Sequence, residues 1–282
     1  MYSLIYSGQL LRFVVQYGWP IVVLFVLRHV KLILAQSSMV HSKVQRKQKP
    51  PKLPEELDDF NQRFELITFN YKRLESPQMI QRSEEFLKLM KQRRSVRHFS
   101  REGVPIEVLR NIIETAGTSP SGANTQPWTF CLVKDSAVKQ SIRQAVEEEE
   151  MENYERRMGD KWVQDVSKLH TTWEKPYLCE APYLILVLRQ CYGFSECGER
   201  IKHYYSEISL SISVGLLLAA IHNAGLVTVT STPLNAGPRI KEILSRPSNE
   251  RVVLLLPVGY PAEDAKVPDI GKKSLNEIMI EY

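Results

Sequence analysis

The sequence predicts an α/β or α+β domain, a sheet with helices packed on its faces, tethered to a membrane by its N-terminus. Short apolar runs at residues 128–133, 183–188, 226–230 and 252–256 have the length of buried strands, and they alternate with longer segments of helical periodicity. Residues 13–27 (FVVQYGWPIVVLFVL) are apolar and are followed by basic residues. The 282 residues are 43% hydrophobic and 24% charged, which supports a sizeable core and is too apolar for disorder.

The elements follow in chain order. Residues 13–27, extended by Val30, Leu32, Ile33 and Leu34, read as a single membrane anchor in which Arg28 and Lys31 snorkel and Tyr17 and Trp19 sit at the interface. A cleaved signal peptide is the alternative, and Ala35-Gln36-Ser37 resembles its cleavage site. However, one basic residue precedes the run and seven follow it up to Lys52, the reverse of a signal peptide. The same asymmetry puts the N-terminus outside and the large domain in the cytoplasm, on a plasma or endomembrane vesicle membrane. Residues 1–35 are thus the expected anchor, 36–59 a basic, proline-containing linker, and 60–282 the folded domain.

Within that domain, residues 83–91 form a helix that leads into the cationic cluster Arg93-Arg94-Ser95-Val96-Arg97. Pro105 opens a second helix, with Val108, Leu109, Ile112 and Ile113 on one face, that closes at Gly117. A loop rich in turn residues (118–127) delivers the chain to the strand at 128–133. Asp135 caps a long helix running to about 158, and the weakly patterned stretch after it, to Pro176, is a lid candidate, the lid as a whole spanning about 150–176. A helix at 201–224 is apolar nearly all round, as in a core or subunit interface. Gly225 ends it, and a strand, the turn Ser231-Thr232-Pro233, a short helix at 238–244, the strand at 252–256 and a polar tail from Ala262 complete the chain.

Several function classes are excluded. The net charge of +5 divides into +8 over residues 1–52 and −3 over the rest, so the domain lacks the basic field of a nucleic-acid binder. Neither GxGxxG nor GxxxxGK[ST] occurs, which argues against a built-in nicotinamide domain or a P-loop. Cys131, Cys179, Cys191 and Cys197 have neither zinc-knuckle nor redox spacing, and reduced thiols are expected. His203 and His222 have no partner at ligand spacing, so no metal is expected. The arginine cluster could hold a phosphate, but the segment by itself reads first as a solvated charged turn. Glu150 and Tyr154, four apart, share a helix face and offer a carboxylate beside a phenol, and Lys175 lies across the candidate lid. Together they could clamp an α-amino acid zwitterion, although sequence alone does not bring Lys175 to Glu150.

Three segments in this order, Arg93 to Arg97, Pro120-Ser121-Gly122-Ala123-Asn124-Thr125-Gln126-Pro127-Trp128 and Thr230-Ser231-Thr232-Pro233-Leu234-Asn235, resemble the FMN-dependent nitroreductase superfamily. The lid segment at 147–175 and the anchor resemble its membrane-bound branch that salvages iodide from mono- and diiodotyrosine. The resemblance implies an α+β nitroreductase-like three-layer sandwich: a central, mostly antiparallel sheet with helices on both faces. It also implies a homodimer whose chains share two sites for tightly bound, non-covalent FMN. By the same resemblance Arg93, Arg94, Ser95, Val96, Arg97, Ser121, Gly122, Thr230, Ser231, Thr232 and Lys272 bind FMN, with Thr232 at flavin N5 as the catalytic hydroxyl. Ala123, through its N–H, and Glu150, Tyr154 and Lys175 bind the substrate. At Lys272 the family commonly has arginine, and here Lys273 follows; lysine keeps the charge but not the two-pronged geometry. The implied reaction is reductive dehalogenation of halotyrosines, with electrons ultimately from NADPH through a separate reductase. A broader nitro- or quinone reductase is the second reading, and a flavin-free, membrane-tethered interaction protein the third.

Overall fold

The computed structural model describes Lys31 and residues 65–282. The expected anchor apart from Lys31, the linker and the domain start near Phe60 lie outside these residues. Two units divide the chain, the first ending at Lys72 and the second spanning Arg73–Tyr282. In the first, residues 65–72 have no regular secondary structure, and the rings of Phe69 and Tyr71 stack 6.1 Å apart.

The second unit is organised around strand β2 (Tyr183–Gln190), whose run YLILVL is buried throughout. It pairs antiparallel with β1 (Trp128–Val133) on one side and β6 (Glu250–Gly259) on the other, and β5 (Val227–Thr228) closes the sheet in the order β1-β2-β6-β5. Alternation along β2 feeds both faces, because side chains of a strand point alternately up and down. Leu184, Leu186 and Leu188 join one core with Ile142, Val146, Leu178 and Ile240. Those partners come from α3 (Ser136–Glu152), α5 (Tyr177–Glu180) and α7 (Gly237–Ile243). Tyr183, Ile185 and Val187 join the other with Leu109, Ile112, Leu210, Leu217 and Ile221, from α2 (Ile106–Gly117) and α6 (Ser206–Asn223). The result is the α+β sandwich, with an antiparallel sheet between helical layers.

Local chemistry explains the boundaries. The Asp135 carboxylate accepts from the Val138 N–H at 2.8 Å and so caps α3. Gly225 takes φ +76 after α6, a conformation that favours glycine. Among the described residues α6 is long and apolar enough to cross a membrane, yet its Leu210, Val214, Leu217 and Ile221 are buried against the sheet, as expected of a core helix.

The structure corrects four expectations. The first helix, α1 (Ser76–Gln92), starts seven residues before 83, with proline in its first turn. The helix expected at 201–224 begins at Ser206. Residues 200–202 instead form β4 (Arg200–Lys202), paired with β3 (Tyr192–Phe194) in a hairpin, and Tyr205 takes φ 52, which a helix cannot accommodate. The helix expected to run to 158 leaves α geometry at Glu152, and a π-helical turn (Asn153–Arg157) joins it to α4 (Gly159–Ser167), a helix within the stretch expected to be only weakly patterned. The tail is not uniformly polar, because Ile270, Leu275, Ile278, Met279 and Ile280 are exposed on it around α8 (Leu275–Ile278).

Glu250 opens β6, buried at 4% exposure. It receives two bonds from Arg246 at 2.7 and 2.8 Å and one from the Thr129 hydroxyl at 2.6 Å. Burial pushes its carboxyl up, but Arg246 and Thr129 outweigh burial and hold it below the ordinary range. A depressed carboxyl adds stability above the unfolded value of about 4.3 and loses it as pH falls through the folded value. Glu250→Gln should therefore be about 1.5–3 kcal/mol less stable than the parent at pH 7. In urea melts the gap should shrink below about pH 4, and a gap that persisted in acid would show that the carboxylate is not what Arg246 requires.

Candidate active site

The arginine segment and the turn at 230–232 meet at one edge of the sheet. The Val96 N–H donates to the Thr228 carbonyl at 3.1 Å, laying residues 95–96 beside β5, while the Val96 side chain is buried. Ser231 pairs with Leu255 of β6 through bonds of 3.1 and 2.8 Å, which anchors the turn between Thr230 and Thr232, both of them exposed. Arg93, Arg94, Ser95, Arg97, Lys91 and Lys272 line a cavity of about 330 Å³ that no acidic side chain among the described residues lines. Arg94 donates to the Pro268 carbonyl, and Pro268, Ile270 and Lys272 of the tail line the same cavity. Thr232 lines a second, larger cavity of about 950 Å³ with Leu234 and Asn235.

The clamp residues come together. Lys175 Nζ lies 3.2 Å from Glu150 Oε2 and 5.5 Å from the centre of the Tyr154 ring. Lys175 is 4% and Glu150 9% exposed, so this is a buried ion pair. Lys175 is held from both ends, its N–H donating to Glu147 Oε1 at 2.6 Å and its ammonium to the Thr172 carbonyl. The Tyr154 hydroxyl reaches the Thr171 carbonyl at 3.4 Å, and its ring meets Trp162 of α4 edge-on at 5.0 Å. Burial draws the Lys175 ammonium down from its ordinary range, with Glu150 opposing, and pushes the Tyr154 phenol up. Tyr177, just beyond, is pushed up to about 12 by burial, against the nearby Ser231 and Arg97. The Arg97 charge reaches Lys175, Tyr154 and Tyr177 as a smaller influence beside burial.

Residues 121–123 lie elsewhere, against the N-terminus of α6. The Gly122 N–H donates to Ser209 Oγ at 3.3 Å, and a Cβ on Gly122 would sit 2.8 Å from the Tyr204 carbonyl, so only glycine fits this approach. Ala123, Asn124 and Gln126 take φ of 50, 53 and 45, a left-handed strain held by the Ser121 and Thr125 hydroxyls. Among the described residues no hydrogen bond or ion pair joins this loop to Glu150, Tyr154 or Lys175.

The Nitroreductase family model matches residues 90–260, more than half of the chain. The chain belongs to the nitroreductase family. The iodotyrosine deiodinase of Nematostella vectensis is 60% identical over 203 residues, which cover 72% of this chain and 77% of that protein. Iodotyrosine deiodinase 1 of Homo sapiens is 52% identical over 226 residues, 80% of this chain and 78% of that one. A crystal structure of oxidized iodotyrosine deiodinase bound to FMN and 3-iodo-L-tyrosine superposes with a TM-score of 0.59 at 34% identity, covering 70% of this chain and 98% of that one.

Within this nitroreductase-family domain the sequence reading missed Asn153 and Tyr177. Asn153 is 1% exposed and donates to Glu150 Oε1 at 3.1 Å. Its spacing of three from Glu150 was the available signal, since residues three apart on a helix are neighbours. Tyr177 gave none, because its position depends on how the chain folds back after Lys175.

Proposed function

We propose that the protein is an FMN-dependent reductive dehalogenase that converts halogenated tyrosines, mono- and diiodotyrosine among them, to tyrosine and halide. The observation that carries this reading is the buried Glu150–Lys175 pair beside Tyr154. A generic nitro- or quinone reductase has no need of opposite charges spaced for an amino-acid head.

The residues present suit FMN. Five cations, Lys91, Arg93, Arg94, Arg97 and Lys272, line one small cavity with Ser95, a donor set for a phosphate monoester. Thr230, Ser231 and Thr232 form the hydroxyl-bearing turn at the same sheet edge, and Thr232 is the hydroxyl for flavin N5. Bound and reduced, FMN supplies the two electrons that, with one proton, exchange the carbon–halogen bond for carbon–hydrogen and release halide. The protein does the rest. Glu150 takes the substrate ammonium, Lys175 its carboxylate, and Tyr154 hydrogen-bonds the same head. The Ala123 N–H binds the phenolate, and α4, anchored through Trp162 on Tyr154, closes over the site as the lid and keeps water out.

The separation of residues 121–123 from the clamp supports a homodimer in which Ser121, Gly122 and Ala123 complete the partner's site. So does the stripe Ile208, Ile212 and Leu216 on α6, a helix face left exposed by the described residues. The apolar run at 13–27 supports single-pass anchoring with the domain in the cytoplasm, and the lack of a nicotinamide motif supports NADPH electrons arriving through a separate reductase.

Deleting residues 1–50 should leave a soluble, yellow protein that, under dithionite, releases iodide from 3-iodo-L-tyrosine. Colourless protein would refute the flavin. Yellow protein that reduces nitroaromatics but releases no iodide would favour the broader reductase.

A further inference from the structure

Asn153 sits in the π-helical turn, where the Met158 N–H reaches back five residues to the Asn153 carbonyl. Its side chain has three partners. Nδ2 donates to Glu150 Oε1 at 3.1 Å, while Oδ1 accepts from Asn235 Nδ2 and from an Arg157 N–H, each at 3.4 Å. The amide orientation follows from those partners: its nitrogen faces a carboxylate and its oxygen faces two N–H groups. Glu150 thus has one oxygen on Lys175 and the other on Asn153, which fixes the plane of its carboxylate. Asn235 lies three residues beyond Thr232, in the turn at the sheet edge, with φ 63.

Resting on the dehalogenase reading, we propose that Asn153 is a positioning residue: it aims Glu150 at the substrate ammonium and ties the clamp, through Asn235, to the turn that carries Thr232. The residue type matters because an amide is donor and acceptor at once. The charged groups around it are Glu150 and Arg157 on its own helical segment, Arg157 being paired with Glu149 at 2.5 Å, and Lys175 across from Glu150. An aspartate at 153 would turn the donated bond into a contact between two carboxylates. Such a pair shares a proton at low pH, when the protonated partner donates as the amide did, and repels when both ionise.

The test uses the full-length holoprotein, titrated with 3-iodo-L-tyrosine and with 2-iodophenol from pH 5.5 to 8.5 by quenching of flavin fluorescence. Asn153→Asp should bind 3-iodo-L-tyrosine about tenfold more weakly than the parent at pH 8, the loss of one charge-assisted bond, and recover toward the parent at pH 5.5. Its affinity for 2-iodophenol should match the parent's at each pH. Equal losses for both probes would mark a merely structural role, and parent-like halotyrosine affinity at pH 8 would overturn the proposal outright. Asn235→Ala, which spares the buried position, should lower halotyrosine affinity several-fold without pH dependence, and an unchanged ratio of the two affinities would break the tie to the turn. A parent that binds both probes alike would instead overturn the dehalogenase reading on which the proposal stands.

Discussion

Glu150→Gln and Lys175→Gln should each weaken 3-iodo-L-tyrosine binding by tenfold or more while leaving FMN bound. Each substitution removes a charge-assisted bond to the zwitterion, worth about 1.5–3 kcal/mol. Because the two side chains already pair in the free protein, at 3.2 Å and nearly out of solvent, each also leaves its partner buried and uncompensated. Breaking such a pair from one side costs about 3–5 kcal/mol, so both single variants should melt earlier than the parent. The double variant separates binding from folding. Two neutral amides can satisfy each other, so Glu150→Gln/Lys175→Gln should regain thermal stability over the singles yet bind halotyrosine no better. Affinity that returned together with stability would reduce the pair to a structural element.

The second large effect is expected at the arginine segment. Arg93→Ala should lower FMN affinity by about tenfold to a hundredfold, the range for one charge-assisted phosphate bond, and purify with substoichiometric flavin. Arg93→Lys should fall between, since lysine keeps the charge but not the two-pronged geometry. Lys272→Arg should bind FMN at least as tightly as the parent, because residue 272 lines the same cavity. Arg94 needs a separate interpretation, as its side chain also holds the tail at Pro268. Full flavin occupancy in an Arg93→Ala/Arg97→Ala variant would move the phosphate out of this cavity.

What the sequence disclosed follows from the range over which each signal acts. The strand at 128–133 and the helix closing at Gly117 were readable from local pattern alone, and Asp135 announced its cap. Glu150 and Tyr154 could be put on one face because helical spacing is a local rule. Lys175 could not, because its approach depends on α4 and the chain after it folding back over α3. The π-helical turn was invisible, since one extra residue in a helical turn leaves no compositional mark, whereas Asn153 was legible through its spacing of three from Glu150. The hairpin of β3 and β4 was hidden for another reason: its strands are three residues long, and Ile201 fell in phase with the apolar helix behind it. The helix boundary was set instead by the left-handed backbone of Tyr205, which no residue pattern signals for a tyrosine.

The central claim is that opposite charges under the lid select an amino-acid head for dehalogenation. The most direct measurement is the ratio of kcat/KM for iodide release from 3-iodo-L-tyrosine and from 2-iodophenol by the reduced holoprotein. The account predicts a ratio of about a hundredfold or more, two charge-assisted contacts of which the phenol makes neither, collapsing toward unity in Glu150→Gln/Lys175→Gln. A parent protein that releases iodide from both at similar rates would contradict it.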